Sequence, residues 1–94
     1  MITHVVAWKL KDENKQENAK KIKEMLEALP EKISQIQFMQ VGINENGGDY
    51  DALLLSKFHS YDDLKAYDVH PEHQKCRTFI LSVAENRIAV DFTE

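Results

Sequence analysis

The run Ala52-Leu53-Leu54-Leu55 constrains this chain more than any other. It is apolar at every position. It sits in a segment, residues 50–58, that follows the turn cluster Asn44-Glu45-Asn46-Gly47-Gly48-Asp49 and ends at His59-Ser60. Successive side chains of a strand point to opposite faces, so an unbroken apolar run reads as a strand buried on both sides. Yet the chain has 94 residues, enough for one small domain with a modest core. It has few elements with which to cover two faces of a sheet.

The other elements follow from periodicity. Residues 2–10 alternate, with Ile2, His4, Val6, Trp8 and Leu10 on a core-facing side and Thr3, Val5, Ala7 and Lys9 on the other. Ala19, Ile22, Met25, Leu26 and Leu29 recur in steps of three and four, which predicts a helix over 14–28 ended by Pro30. After Pro30, Ile33, Ile36, Phe38, Met39, Val41 and Ile43 suit a strand over about 35–44, though their alternation is imperfect, and the glycine-rich cluster after it predicts a hairpin into 50–58. Ser60-Tyr61-Asp62-Asp63 resembles a helix N-cap with an acidic first turn, opening a short helix to about Tyr67. Pro71 starts another helix, with His70 as its N-cap and Cys76, Phe79, Ile80 and Val83 on one stripe. Glu85-Asn86 is expected to break that helix before a last strand over 87–92. The order βαββαβ predicts an α+β, ferredoxin-like single domain over 1–94, a four-stranded antiparallel sheet with helices on one face.

Helices cover one face of such a sheet. Leu53 and Leu55 point opposite to Leu54, and Val5 opposite to Val6. At roughly 25 cal/mol per Å² of apolar area, a sheet face left in water would cost an amount comparable with a small domain's net stability. A homodimer paired through the sheet face opposite the helices is therefore expected.

Charge and composition narrow the partners. A net charge of −4 gives no general attraction to phosphate backbones, so no nucleic-acid partner is expected. No apolar run reaches the length of a membrane span, and the first residues lack the pattern of a signal peptide. The single cysteine, Cys76, suits a reducing compartment, and the cytoplasm is the expected location. No cofactor is implied. His70, His73 and Cys76 drift around a helix at three-residue spacing and do not make a convincing ligand set, so no metal is expected. Gly47-Gly48 precedes a strand and lacks the features of a phosphate loop.

The densest chemistry lies in Tyr67-Asp68-Val69-His70-Pro71-Glu72-His73, which holds two of the four histidines. His73 precedes Cys76 by three residues and Ile80 by seven, which places it on the inward stripe of its helix. An imidazole there can act as a general base, and Tyr67 can hold a substrate oxygen. The same placement equally suits a core histidine bonded to Tyr67 or to a backbone carbonyl, locking the helix junction. His70 reads as the cap. His4, on the inward face of the first strand, either reaches His73 across the core or bonds a buried polar group. His59, at a strand end, reads as solvated.

Three pieces of the chain together resemble the stress-responsive A/B barrel family of dimeric α+β barrels. They are His4-Val5-Val6-Ala7-Trp8-Lys9-Leu10-Lys11, the strand at 50–58, and the Tyr-x-x-His-Pro-x-His segment from Tyr67 to His73 followed by Val90-Asp91-Phe92. The family holds plant stress-associated proteins, a plant polyketide cyclase and many small bacterial members without assigned activity. The resemblance implies a pocket between sheet and helices, with Tyr67 and His73 matching the cyclase's catalytic pair. It further implies that His4 and His70 lie at that pocket, with Val6, Trp8 and Leu54 among its ligand-binding residues. Trp8 stands where the resemblance suggests a smaller aliphatic residue, and Ile22, Met25 and Leu26 replace an aromatic lining, so Trp8 is a candidate to fill the cavity. The expected function is a homodimeric domain of unassigned activity that takes a small-molecule ligand. The alternative is a cofactor-independent lyase, cyclase or isomerase with a histidine base and a tyrosine donor.

Overall fold

A computed structural model describes residues 1–94. Strand β1 (Ile2–Leu10) is followed by helix α1 (Lys15–Glu27), a 3₁₀ turn (Leu29–Glu31), strands β2 (Phe38–Ile43) and β3 (Ala52–Phe58), helices α2 (Tyr61–Val69) and α3 (Pro71–Val83), and strand β4 (Ala84–Thr93). The sheet is antiparallel in the order β2-β3-β1-β4, and the three helices lie on one face. This is the ferredoxin-like arrangement expected from the element order. No helix is long and apolar enough to cross a membrane.

The core lies between sheet and helices. Val6, Trp8, Leu54 and Val41 face Ile22, Leu26, Tyr67, Cys76 and Ile80, all buried. Side chains of α1 also close the free edge of β2. Lys23 Nζ donates to the Val41 carbonyl at 2.7 Å, and the Val41 N–H donates to the Glu27 carboxylate at 2.9 Å. An edge strand otherwise presents these groups to any passing chain.

Three boundaries differ from the sequence expectation. Strand β2 begins at Phe38, because Ile33 and Ile36 reach the core from turns bonded locally to Leu29 and Ile33. Strand β3 begins at Ala52. Strand β4 begins at Ala84, directly after α3, so Glu85-Asn86 does not interrupt the chain. Lys9 pairs with Asn86 and Leu10 with Ala84, which leaves Glu85 as an extra residue in a bulge.

The outer face of the sheet is apolar and uncovered. Phe38, Leu53, Ile88, Val90 and Phe92 are exposed there, Val90 at 58%. Strand pairing joins them across the sheet, with Ala7 between Leu53 and Ile88 and Val5 between Leu55 and Val90. Thus Leu54 is buried within the chain while Leu53, its neighbour, is 43% exposed.

Candidate functional site

The site is built at the one-residue break between α2 and α3. The residue before a proline is disfavoured in the helical region, and His70 accordingly adopts an extended conformation at φ −65°, ψ 136°. Pro71, with no N–H to lose, opens α3. The His70 side chain caps the new helix: the Glu72 N–H donates to His70 Nδ1 at 3.1 Å. Glu72 N–H is the group that an unbroken helix would have given to the Asp68 carbonyl. That carbonyl is free instead, and two side chains take it. His73 Nδ1–H donates to it at 2.9 Å and Gln74 Nε2 at 2.6 Å.

The break also sets Tyr67, in the last turn of α2, against His73, in the first turn of α3. Their ring centroids are 4.2 Å apart and the planes are tilted by 34°. Phe58 also packs against Tyr67, with ring centroids 5.1 Å apart. His4 meets it edge-on at 6.4 Å. The His4 Nδ1–H donates to the Asp91 carboxylate across the β1–β4 ladder, where His4 and Asp91 are paired. His4 therefore bonds a strand neighbour rather than His73.

A cavity of about 340 Å³ opens beside this group. Val6, Trp8 and Leu54 form its floor on the sheet, and Leu26, Ile80 and Leu81 its helical walls. His4, Tyr67, Asp68, His73, Arg77 and Arg87 supply the polar lining. Trp8 is a wall of the cavity and does not fill it, and Met25 is not among the lining residues. His70 does not reach the cavity; its ring is occupied at the cap. His59 is exposed at the strand end. No three His, Cys, Asp or Glu side chains converge as a metal ion would need.

The Tyr67 hydroxyl and His73 Nε2, both in the cavity lining, have no partner within the protein. Tyr67 is buried, and its hydroxyl makes no internal hydrogen bond. No fully buried side-chain oxygen or nitrogen lacks a partner, so this hydroxyl must open to the cavity. The Nδ1–H bond to Asp68 leaves the His73 Nε2 lone pair unused. Burial favours the neutral imidazole and lowers its pKa. The Asp68 carbonyl and carboxylate oppose that, while the charges of Arg77 and His4 add to it. Burial also raises the Tyr67 pKa well above the usual phenol value, helped by Cys76 and Asp68 and opposed by Arg87. Near neutral pH the pair is thus a phenol that can donate and an imidazole that can accept.

Residues 2–94 match the Stress Responsive A/B Barrel Domain family. The chain belongs to that family. A stress-response A/B barrel domain-containing protein of Arabidopsis thaliana is 29% identical over 98% of this chain, and the match covers 46% of the plant protein. This A/B barrel domain therefore spans about half the length of that relative. A dimeric ferredoxin-like protein of unknown function from Bacteroides fragilis superposes with a TM-score of 0.94 at 38% identity, over 99% of this chain and 95% of that one. A hydroxynitrile lyase from Passiflora edulis shares the fold, with a TM-score of 0.84 at 14% identity over 97% of this chain and 90% of its own.

Within the A/B barrel domain, the structure brings Tyr67, His73, His4, Val6, Trp8 and Leu54 to one cavity and leaves His70 outside it. Sequence reasoning missed Asp68, Arg77, Arg87 and the Asp91 partner of His4. Arg77 lies four residues after His73, a spacing that shares a helix face and could have revealed it. Arg87 and Asp91 are placed by the register of β4 on β1, opposite Trp8 and His4. Nothing local in the sequence encodes that register.

Proposed function

We propose that this domain works as a homodimer and binds a small molecule in the cavity between sheet and helices. The observation that carries the reading is the pair of unpaired polar atoms, the Tyr67 hydroxyl and His73 Nε2, facing an open space with apolar walls. Small-molecule sites are apolar hollows with a few convergent polar groups, and about 340 Å³ lies near the small end of their range. Val6, Trp8 and Leu54 would pack on the ligand body, with His4, Tyr67 and His73 orienting its oxygen atoms. His70 acts at one remove, by holding the junction. The dimer reading is supported by the uncovered outer face of the sheet and by the dimeric state of the Bacteroides fragilis relative.

A second reading, cofactor-independent lyase or isomerase chemistry, is favoured by the protonation states. Neutral His73 Nε2 would take a proton from a carbon next to a carbonyl. The Tyr67 hydroxyl would donate a hydrogen bond to the enolate oxygen that forms, and the imidazolium would return the proton.

A metabolite screen read by the fluorescence of Trp8, the only tryptophan, tests the binding reading. Hits that shift Trp8 emission and weaken in Tyr67→Phe are expected. Hits indifferent to Tyr67→Phe would place binding elsewhere. For the second reading, a bound carbonyl ligand should exchange its α-hydrogen with D₂O. His73→Ala should stop the exchange while leaving a folded dimer.

A further inference from the structure

We propose that Arg77 and Arg87 make the mouth of this cavity a receptor for the acidic head of a small organic acid, whose apolar body lies against Trp8, Leu54 and Ile80. The inference rests on the small-molecule reading of the cavity and adds the ligand's chemical class.

These are the only two arginines in the chain, and both line this cavity. They come from different elements, Arg77 from α3 and Arg87 from β4. Neither takes part in any of the molecule's ion pairs, although the chain carries 16 acidic residues. Asp68 is the one carboxylate of the lining. Two guanidiniums therefore face one carboxylate, and the lining is positive in a chain of net charge −4. Asp91, nearby on β4, is engaged by His4.

Residue type matters as much as charge. A guanidinium presents a planar fork of donors that matches a carboxylate, and its charge survives at any working pH. The fields of both reach inward: Arg77 favours neutral His73, and Arg87 opposes the rise in the Tyr67 pKa. An acid group held between them leaves the ligand body against the apolar walls that Trp8, Leu54 and Ile80 supply. That combination, two guanidiniums beside apolar walls, is what an amphipathic acid requires.

Octanoate and 1-octanol share an alkyl body and differ in the head, so they separate the two ideas. Binding to the intact protein is followed by Trp8 fluorescence and calorimetry. Octanoate should bind about tenfold or more tighter than octanol, the usual scale of a charge-assisted hydrogen bond. Added salt should weaken octanoate alone. The double variant Arg77→Met, Arg87→Met keeps the side-chain stems and, with both residues exposed, should keep the fold by circular dichroism. It should bring octanoate down to the affinity of octanol and leave octanol unchanged. Equal affinities in the intact protein, or an octanoate preference that survives in the double variant, would overturn the assignment of the arginines while the cavity reading stands. Binding of neither probe at millimolar concentration would overturn both.

Discussion

Tyr67 and His73 stack at 4.2 Å across a helix junction that one proline creates. The break frees the Asp68 carbonyl, and that carbonyl fixes the proton on His73 Nδ1. The same interruption that looks like a helix terminator thus leaves His73 Nε2 free to accept. A carbonyl acceptor on one ring nitrogen is how a neutral imidazole is held with its other nitrogen free.

Tyr67→Phe should separate function from stability. The hydroxyl makes no internal hydrogen bond, so its removal breaks none, and the ring keeps its contacts with Phe58 and His73. Urea unfolding should change by less than about 1 kcal/mol. Ligand affinity should fall. A large loss of stability would mean that the hydroxyl has a structural partner.

The His73 pKa lies below its ordinary value of 6.5 because burial penalises the charged ring. Above that value, folded and unfolded chains both carry the neutral ring. As pH falls from 6.5 toward the folded value, the unfolded chain binds a proton that the folded chain does not, so stability drops through this window. Below the folded value the loss levels off. His73→Gln should remove this part of the pH dependence, measured by denaturation at a series of pH values. The His73 ring signal in NMR should titrate below 6.5; titration above it would contradict the burial argument.

His70 is bonded as a cap and stands outside the cavity. His70→Ala should cost about 1 kcal/mol, the usual value of an N-cap, and His70→Asn should recover most of it. Both variants should retain ligand binding when folded. A loss of binding in a folded His70→Asn would return this residue to the site.

Val90 stands 58% exposed on the outer sheet face, beside Val5. In a two-fold dimer one substitution acts twice. Val90→Glu should give monomers by light scattering with the helical signal retained, because a carboxylate there would be buried without a partner. An unchanged dimer would place the interface on another surface.

Strands and helices were legible wherever periodicity alone sets them. Alternation in Ile2 to Leu10 and the three-and-four spacing from Ala19 to Leu29 needed no tertiary information. Legibility failed where an apolar residue entered the core from a turn, as Ile33 and Ile36 do, and where a bulge imitated a break, as at Glu85. In the site, Tyr67 and His73 were legible because Pro71 anchors the helix register around them. The bond to the Asp68 carbonyl was open from sequence only as one of two structural readings, since a backbone acceptor has no residue signature. Arg87 and Asp91 were out of reach because they meet Trp8 and His4 through strands far apart in sequence.

The central claim is that the Tyr67–His73 pair lines a ligand site. It is tested most directly by NMR, following the Trp8 indole N–H and the His73 ring as a fluorescence-selected ligand is added. The account predicts that both signals move together and saturate at one ligand per protomer. Shifts confined to the outer sheet face, around Leu53 and Val90, with Trp8 and His73 unmoved, would contradict it.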